Sequence, residues 1–211
     1  EIQRLDSNIE NKNKIIEGFL CRLDEKEDAL EVKEKTVREL GKMSKYLSDE
    51  EINQIFRKIA VYIIDEKIQG KDIYVLCMKE LLKGSTAEAC NLIGSTIIDS
   101  ILVGLNHKDN KIRELSYDVL NDYIIKYDFV LTKEYTKVFK SPEKIYENAI
   151  NNLSIKSISL MKKMASFIGN YSSILDKENY FKLIDLITVK LKESKDINYN
   201  TILFNCLTSI A

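Results

Sequence analysis

Apolar residues recur at three- and four-residue spacing along almost the whole chain. One such stripe contains Ile52, Ile55, Phe56 and Ile59. This spacing places apolar side chains on one wide face of a helix that packs between neighbours. Alternating strand patterns are nearly absent. The sequence therefore predicts an all-α fold, and it leaves residues 128–140 open between a short helix and an ordered loop.

Local signals mark where several of these helices begin. Ser48 and Glu51 form a capping box, in which each side chain bonds an amide that the helix leaves without a partner. Ser85 and Glu88 repeat that spacing. Pro142 stands where the first turn of a helix tolerates the missing N–H. These positions predict helix starts near residues 48, 85 and 142.

The first apolar residue of every second predicted helix recurs with a period of about 40 residues, the period of HEAT and armadillo repeats. These anchors are separated by 41, 39, 43 and 42 residues, and they are Val32, Ile73, Ile112, Ile155 and Ile197. Further apolar or small residues follow each anchor by four, five and eight or nine places. The pattern predicts burial of Leu40, Leu81, Leu120, Leu160 and Ile202.

Charged residues beside the anchors favour HEAT repeats among the helical repeats. A basic residue follows the anchor directly as Lys33, Arg113 and Lys156. An acidic residue shortly precedes it as Asp72, Asp109 and Asp196, where a basic residue of a neighbouring repeat can bridge to it. We therefore predict a HEAT-repeat α-solenoid of about five antiparallel helix pairs. Its repeats cover approximately residues 13–46, 48–83, 86–127, 132–170 and 177–211, as a single array over 1–211 that we expect to be a fragment of a longer protein.

The amino-acid composition limits which classes of partner are expected. Lys and Arg number 32 against 33 Asp and Glu, so the net charge is −1, which disfavours nucleic acid because a duplex-binding surface usually has a basic excess. No apolar run is long enough to cross a membrane. Cys21, Cys77, Cys90 and Cys206 lie among apolar residues without a C-x-x-C pair, which favours buried free thiols in the cytoplasm or nucleus.

The sequence offers little material for catalysis. His107, the only histidine, lies in a polar turn, and the chain has neither a nucleophile motif nor a glycine-rich phosphate loop. A zinc site would need a coincidence of the fold among one histidine and four separated cysteines. We therefore predict no enzyme activity, no cofactor, no metal site and no small-molecule substrate.

Two segments, residues 32–41 and 71–82, resemble consecutive early repeats of the cullin-associated, neddylation-dissociated protein family, which is also described as interacting with the TATA-binding protein. Residues 104–122 and 154–169 are similar to its following repeats, so the resemblance covers roughly residues 14–190. It implies a scaffold that binds cullin–RING ubiquitin ligases lacking neddylation and promotes exchange of their substrate receptors. The implied partners are the cullin C-terminal region and its RING subunit.

Basic residues on the second helices are the candidate partner contacts, and they are Lys33, Arg38, Lys79, Arg113 and Lys156. The alternative interpretation is that these residues form ladder and solubilising charges. Other functions also fit the repeat pattern: a nuclear transport receptor, a phosphatase scaffold, a HEAT-type nucleic-acid-binding protein or the helical region of a large kinase.

Overall fold

A computed structural model of the chain describes residues 2–24, 29–138, 142–153 and 157–210. Over these ranges the chain forms ten helices and no strand, so the all-α prediction is confirmed. The helices are α1 (Ile2–Asp24), α2 (Leu30–Ser44), α3 (Asp49–Ile64), α4 (Lys71–Gly84), α5 (Ala87–Leu105), α6 (Asn110–Val138), α7 (Pro142–Asn152), α8 (Ile158–Ser172), α9 (Lys177–Glu193) and α10 (Ile197–Ile210).

Consecutive helices pack as five pairs in the described ranges: α1/α2, α3/α4, α5/α6, α7/α8 and α9/α10. The second helices α2, α4, α6, α8 and α10 lie side by side, each in contact with the next. Among the first helices, α3 packs on α5 and α7 packs on α9. One continuous core of apolar side chains lies between the two layers. The chain is therefore an α-solenoid of antiparallel helix pairs, as the period predicts.

Two of the predicted helix starts can be compared in detail. The capping box is confirmed, because the Ser48 hydroxyl accepts the N–H of Glu51 and the Glu51 carboxylate accepts the N–H of Ser48, at 3.3 and 2.6 Å. The cap predicted at Ser85 is wrong. Its hydroxyl donates back to the carbonyl of Leu81 in α4 at 2.8 Å, and the neighbouring Thr86 caps α5 instead.

Burial confirms the predicted packing positions in the first four repeats. Fully buried side chains occupy the predicted positions Leu40, Leu81, Leu120 and Leu160. The fifth position is different, because Ile202 is only half-buried and the anchor Ile197 is 81% exposed. Ile155, the fourth anchor, lies outside the described residues. The register predicted for the last repeat is therefore wrong.

The buried residues of α8 and α10 show the actual register. In α8 the first of them is Leu160, and Met164, Ala165 and Ile168 follow at the spacing of four, five and eight places that earlier repeats use. In α10 the same spacing begins at Ile202. It continues through the buried Cys206 and the half-buried Leu207 and Ile210. Both helices therefore begin the packing pattern five residues later than predicted.

The additional residues lie around the end of α6. This helix contains 29 residues and continues to Val138, so residues 128–138, which the sequence left open, are helical. The fourth helix pair consequently begins at Pro142 and not near residue 132. Likewise α1 begins at Ile2 and not near residue 13. Leu160 thus follows Ile112 by 48 residues, where the sequence period predicts about 40.

Glycines allow neighbouring second helices to approach closely. A Cβ on Gly41 of α2 would lie 2.7 Å from the Cβ of Glu80 in α4, a distance at which one of the helices would have to move. A Cβ on Gly169 of α8 would lie 2.6 Å from that of Ser209 in α10. Glycine at these two positions therefore sets how tightly the second-helix layer packs.

Three lysines of the second helices bind carbonyl groups at the C-terminal ends of other helices. The ammonium of Lys33 donates to the Leu23 carbonyl of α1 at 2.9 Å, and that of Lys71 donates to the Ile63 carbonyl of α3 at 2.8 Å. Lys126 of α6 donates to the Lys83 carbonyl of α4 at 2.8 Å. A cation is favourable at the negative end of a helix and satisfies carbonyls that have no partner within it.

Candidate protein-binding surface

The second helices carry one mainly polar stripe, with half-buried leucines at two positions, on the side away from the first helices. In α4 this stripe contains Asp72, Leu76, Lys79 and Lys83, and at the same register α6 contributes Lys111, Leu115, Asp118 and Asp122. In α2 it contains Glu31, Lys35, Arg38 and Lys42, and in α8 it contains Ser159, Lys163, Ser166 and Asn170. We call this surface the second-helix face.

Charged residues on the second-helix face pair across the repeats. The carboxylate of Asp118 in α6 accepts from Lys79 of α4 at 2.6 Å and from Lys163 of α8 at 2.7 Å, so one acid connects three helices. Lys111 of α6 donates to Asp72 of α4 at 2.7 Å. The predicted bridge between repeats is therefore confirmed at Asp72, and the hydrogen bond to Asp72 raises the pKa of Lys111 despite opposing burial.

The other two predicted acidic positions have a local role. The Asp109 carboxylate accepts the backbone N–H of Lys111 at 2.8 Å, and that of Asp196 accepts the N–H of Asn198 at 2.8 Å. Both acids therefore bind free amides at the starts of their own helices, where negative charge is stabilised. Within the described ranges neither acid forms the expected bridge between repeats.

Hydrogen bonds of amide, hydroxyl and carboxylate side chains continue the connection from α6 to α8. The amide of Asn170 donates to the side-chain oxygen of Asn121 at 3.0 Å. Glu114 accepts from Ser159 at 3.0 Å and from Ser157 at 3.4 Å. Each of these bonds joins neighbouring second helices, so they hold the side chains of the face in defined positions.

Asp122 is half-buried on this face beside the paired charges. Burial raises the pKa of its carboxyl, and Asp118 raises it further, while the nearby Lys79 and Lys83 act in the opposite direction. The sequence pattern does not single out Asp118 or Asp122, although Glu114, Asp118 and Asp122 succeed one another at the helical spacing of four residues.

The structure gives the five candidate basic residues different environments. Lys33 binds the end of α1, and the guanidinium of Arg113 donates to Asn110 at the start of its own helix. Lys79 is paired with Asp118. Of the four candidates that the structure describes, Arg38 is the most exposed, since its side chain is 67% exposed and its guanidinium lies 3.9 Å from the carboxylate of Glu34. Lys156 lies outside the described residues.

The cysteines differ from one another in exposure. Cys77 and Cys206 are free and buried, and burial raises the pKa of both thiols, that of Cys206 to about 12. Cys21 is free but exposed, so the prediction of a buried thiol is wrong at this position. The side chain of Cys90 lies outside the described part of the chain.

Of the residues that a catalytic or metal site would need, the one histidine bonds within a turn of the backbone. The Nδ1 atom of His107 accepts the backbone N–H of Asp109 at 3.1 Å within the turn before α6. Among the described residues no group of three or more His, Cys, Asp or Glu side chains is arranged to hold a metal ion. No described helix has both the length and the apolar character needed to cross a membrane.

Solved structures with the same fold include engineered proteins whose crystal structures were determined by the Northeast Structural Genomics Consortium. One is 15% identical, with a TM-score of 0.61, and the match covers 92% of this chain and 78% of that protein. A second is also 15% identical, with a TM-score of 0.60, and the match covers 92% and 80% of the two chains. No protein-family profile matches the sequence, and comparison with curated proteins gives no match.

At this level of identity the likeness concerns the fold alone. Together with the five helix pairs, it places the chain in the class of helical-repeat α-solenoids. Each repeat packs on its neighbours, and the resulting extended surface is the part that such folds use for binding.

Proposed function

We propose that the chain is a protein-binding scaffold that contacts its partner through the second-helix face. The observation that supports this proposal is the cross-helix bonding of that face, centred on Asp118 with Lys79 and Lys163. Side chains that are already held in position lose less conformational freedom when a partner binds. The paired charges also leave the middle of the face nearly neutral, which suits a protein partner more than a polyanion.

The specific form of the proposal is regulation of cullin–RING ubiquitin ligases. It rests on the resemblance of residues 32–41 and 71–82 to the cullin-associated, neddylation-dissociated family. In this form the chain contacts the cullin C-terminal region and its RING subunit, and neddylation removes the interaction. Another HEAT scaffold, such as a nuclear transport receptor or a phosphatase scaffold, would use the same face with a different partner.

The experiment captures purified cullin–RING complex, unmodified or neddylated, on the immobilised chain. We expect capture of the unmodified complex and its loss after neddylation. A single segment of a solenoid binds through many modest contacts, so the assay must detect weak binding. If neither form is captured under conditions that detect weak complexes, the cullin-specific form is wrong.

Charge reversal distinguishes the second-helix face from the rest of the surface. The variant Arg38→Glu/Lys42→Glu changes two exposed residues of α2 and should weaken capture. The matched control Arg57→Glu/Lys58→Glu changes two exposed residues of the first helix α3 and should leave capture unchanged. Equal losses in the two variants would show that the second-helix face is not the contact surface.

A further inference from the structure

α8 and α10 pack tightly near their C-terminal ends and separate toward their N-terminal ends. The close approach of Gly169 to Ser209 marks the tight end. Toward the other end the two helices enclose a groove of about 910 Å³, within the range of roughly 300–1,000 Å³ found for ligand pockets. Its walls include Ile158, Met161 and Lys162 of α8 and Asn198, Thr201 and Asn205 of α10. We call it the α8–α10 groove.

The groove lies where the bonding between second helices changes. At the N-terminal ends of α4 and α6 the interface is closed by the pair of Asp72 and Lys111. Between α6 and α8 it is closed by Glu114 and Ser159. Across the N-terminal halves of α8 and α10, the described residues form no ion pair and no side-chain hydrogen bond. Among the described residues the α8–α10 junction thus lacks the kind of bond that closes the two preceding junctions at this level, and the groove opens there.

The α10 wall presents hydrogen-bonding groups that are not engaged elsewhere in the described chain. Asn198 and Asn205 are exposed, and their side-chain amides bond no described group. Thr201 donates to the carbonyl of Ile197 at 2.8 Å and keeps its acceptor capacity. These residues lie three and four places apart on one side of the helix and span roughly 10 Å. An extended chain covers that length with about three residues.

The opposite wall supplies an apolar surface and a cation. Ile158 is 67% exposed, and the side chain of Met161 lies beside it in the groove. Lys162 is exposed, and among the described residues it has no carboxylate partner. This distinguishes it from Lys79, Lys111 and Lys163, which are all paired with acids.

The other charges that line the groove are already engaged. Lys190 lies 3.6 Å from Glu193, and the Asp196 carboxylate accepts backbone N–H groups of Asn198 and Tyr199. The ammonium of Lys162 is therefore the charge of the described lining that is left for an anionic group. Amide side chains both donate and accept, which matches the alternating N–H and C=O groups of an extended peptide.

We propose that the α8–α10 groove binds an extended peptide segment of a partner protein, one that carries an acidic side chain close to an apolar one. The acid pairs with Lys162, the apolar side chain packs on Ile158 and Met161, and the peptide backbone bonds Asn198 and Asn205. This inference rests on the proposed scaffold function, because it specifies the chemistry of a segment that the partner presents.

The test selects binders from a display library of short random peptides on the 211-residue chain. We expect enrichment of peptides with an acid near an apolar residue. Lys162→Glu should weaken the affinity for a synthetic peptide of the consensus sequence about ten-fold or more, as expected for loss of a charge-assisted bond. Asn198→Ala/Asn205→Ala should also weaken it. The matched control Lys192→Glu reverses an exposed lysine on α9 and should leave the affinity unchanged.

All of these substitutions are at exposed positions, so helicity measured by circular dichroism should be unchanged. Hydrogen exchange should show protection in residues 158–162 and 197–205 when the peptide binds. The inference is overturned if no peptide is enriched, if the enriched peptides lack an acid, or if Lys162→Glu and Lys192→Glu bind equally. The scaffold proposal is tested separately by Arg38→Glu/Lys42→Glu, so its failure and the failure of the groove remain distinguishable.

Discussion

Two substitutions on α10 test the corrected register directly. The side chain of Leu203 is fully buried, whereas Ile197 is 81% exposed. Leu→Ala at a buried site costs roughly 2–5 kcal/mol of unfolding free energy. We expect about 2–3 kcal/mol for Leu203→Ala, at the lower end of that range, because α10 packs extensively against only two of the described helices, α8 and α9. Full burial of an isoleucine side chain stabilises a fold by ~3 kcal/mol, and only about a fifth of Ile197 is buried, so Ile197→Ala should lose roughly 0.6 kcal/mol of burial free energy. The better helix propensity of Ala returns roughly 0.4 kcal/mol, so the net change should be close to zero.

The assay is urea unfolding followed by circular dichroism, with hydrogen exchange of α9 and α10 as a second measurement. The exchange measurement is needed because a solenoid can open one repeat at a time, and a single transition then underestimates a local loss. Both variants should keep the helicity of the parent chain at low denaturant. If Ile197→Ala is as destabilising as Leu203→Ala, the anchor of the last repeat is Ile197 and the register described here is wrong.

Three further predictions concern single groups. An alkylating reagent should modify the exposed Cys21 well before the buried Cys77 in native protein, and equal rates by mass spectrometry would contradict the burial pattern. Asp118→Ala should cost about 1–2 kcal/mol in urea unfolding, less in high salt, because two lysines lose a shared carboxylate. The hydrogen bond to Asp24 together with burial raises the pKa of Tyr62 to about 12. The fold therefore favours the protonated phenol, so stability should fall as the pH rises from about 10 through about 12, and Tyr62→Phe should flatten that fall.

The repeat architecture was predictable because helix formation and burial leave a strong periodic pattern in the sequence. The register of the last two repeats was not, because a stripe repeating every three or four residues fits more than one starting point. Ile197 and Ile202 both fit the spacing on α10, and only the neighbouring helix determines which is covered. The length of α6 was hidden in the same way, since Asp128 and Phe129 do not reveal whether a helix continues or ends.

The candidate surface was predictable as a location but not in its chemistry. Basic residues were expected on the second helices, and the structure places Arg38 and Lys79 on the second-helix face. What a long basic side chain reaches depends on groups far away in the sequence. Lys33 reaches a helix end, and Lys79 reaches an acid 39 residues later. No local pattern distinguishes these two environments.

The lysines that bind the ends of other helices also bear on how the chain folds. Lys33 and the Leu23 carbonyl are ten residues apart in sequence, and Lys71 and the Ile63 carbonyl are eight apart. Each bond closes a short loop, for which the entropy cost is small, and each joins the two helices of one pair. A helical hairpin closed in this way can form before its neighbours are present. The first two pairs are therefore suited to early, local folding, which contact order associates with fast folding, and later repeats can then add to a surface that already exists.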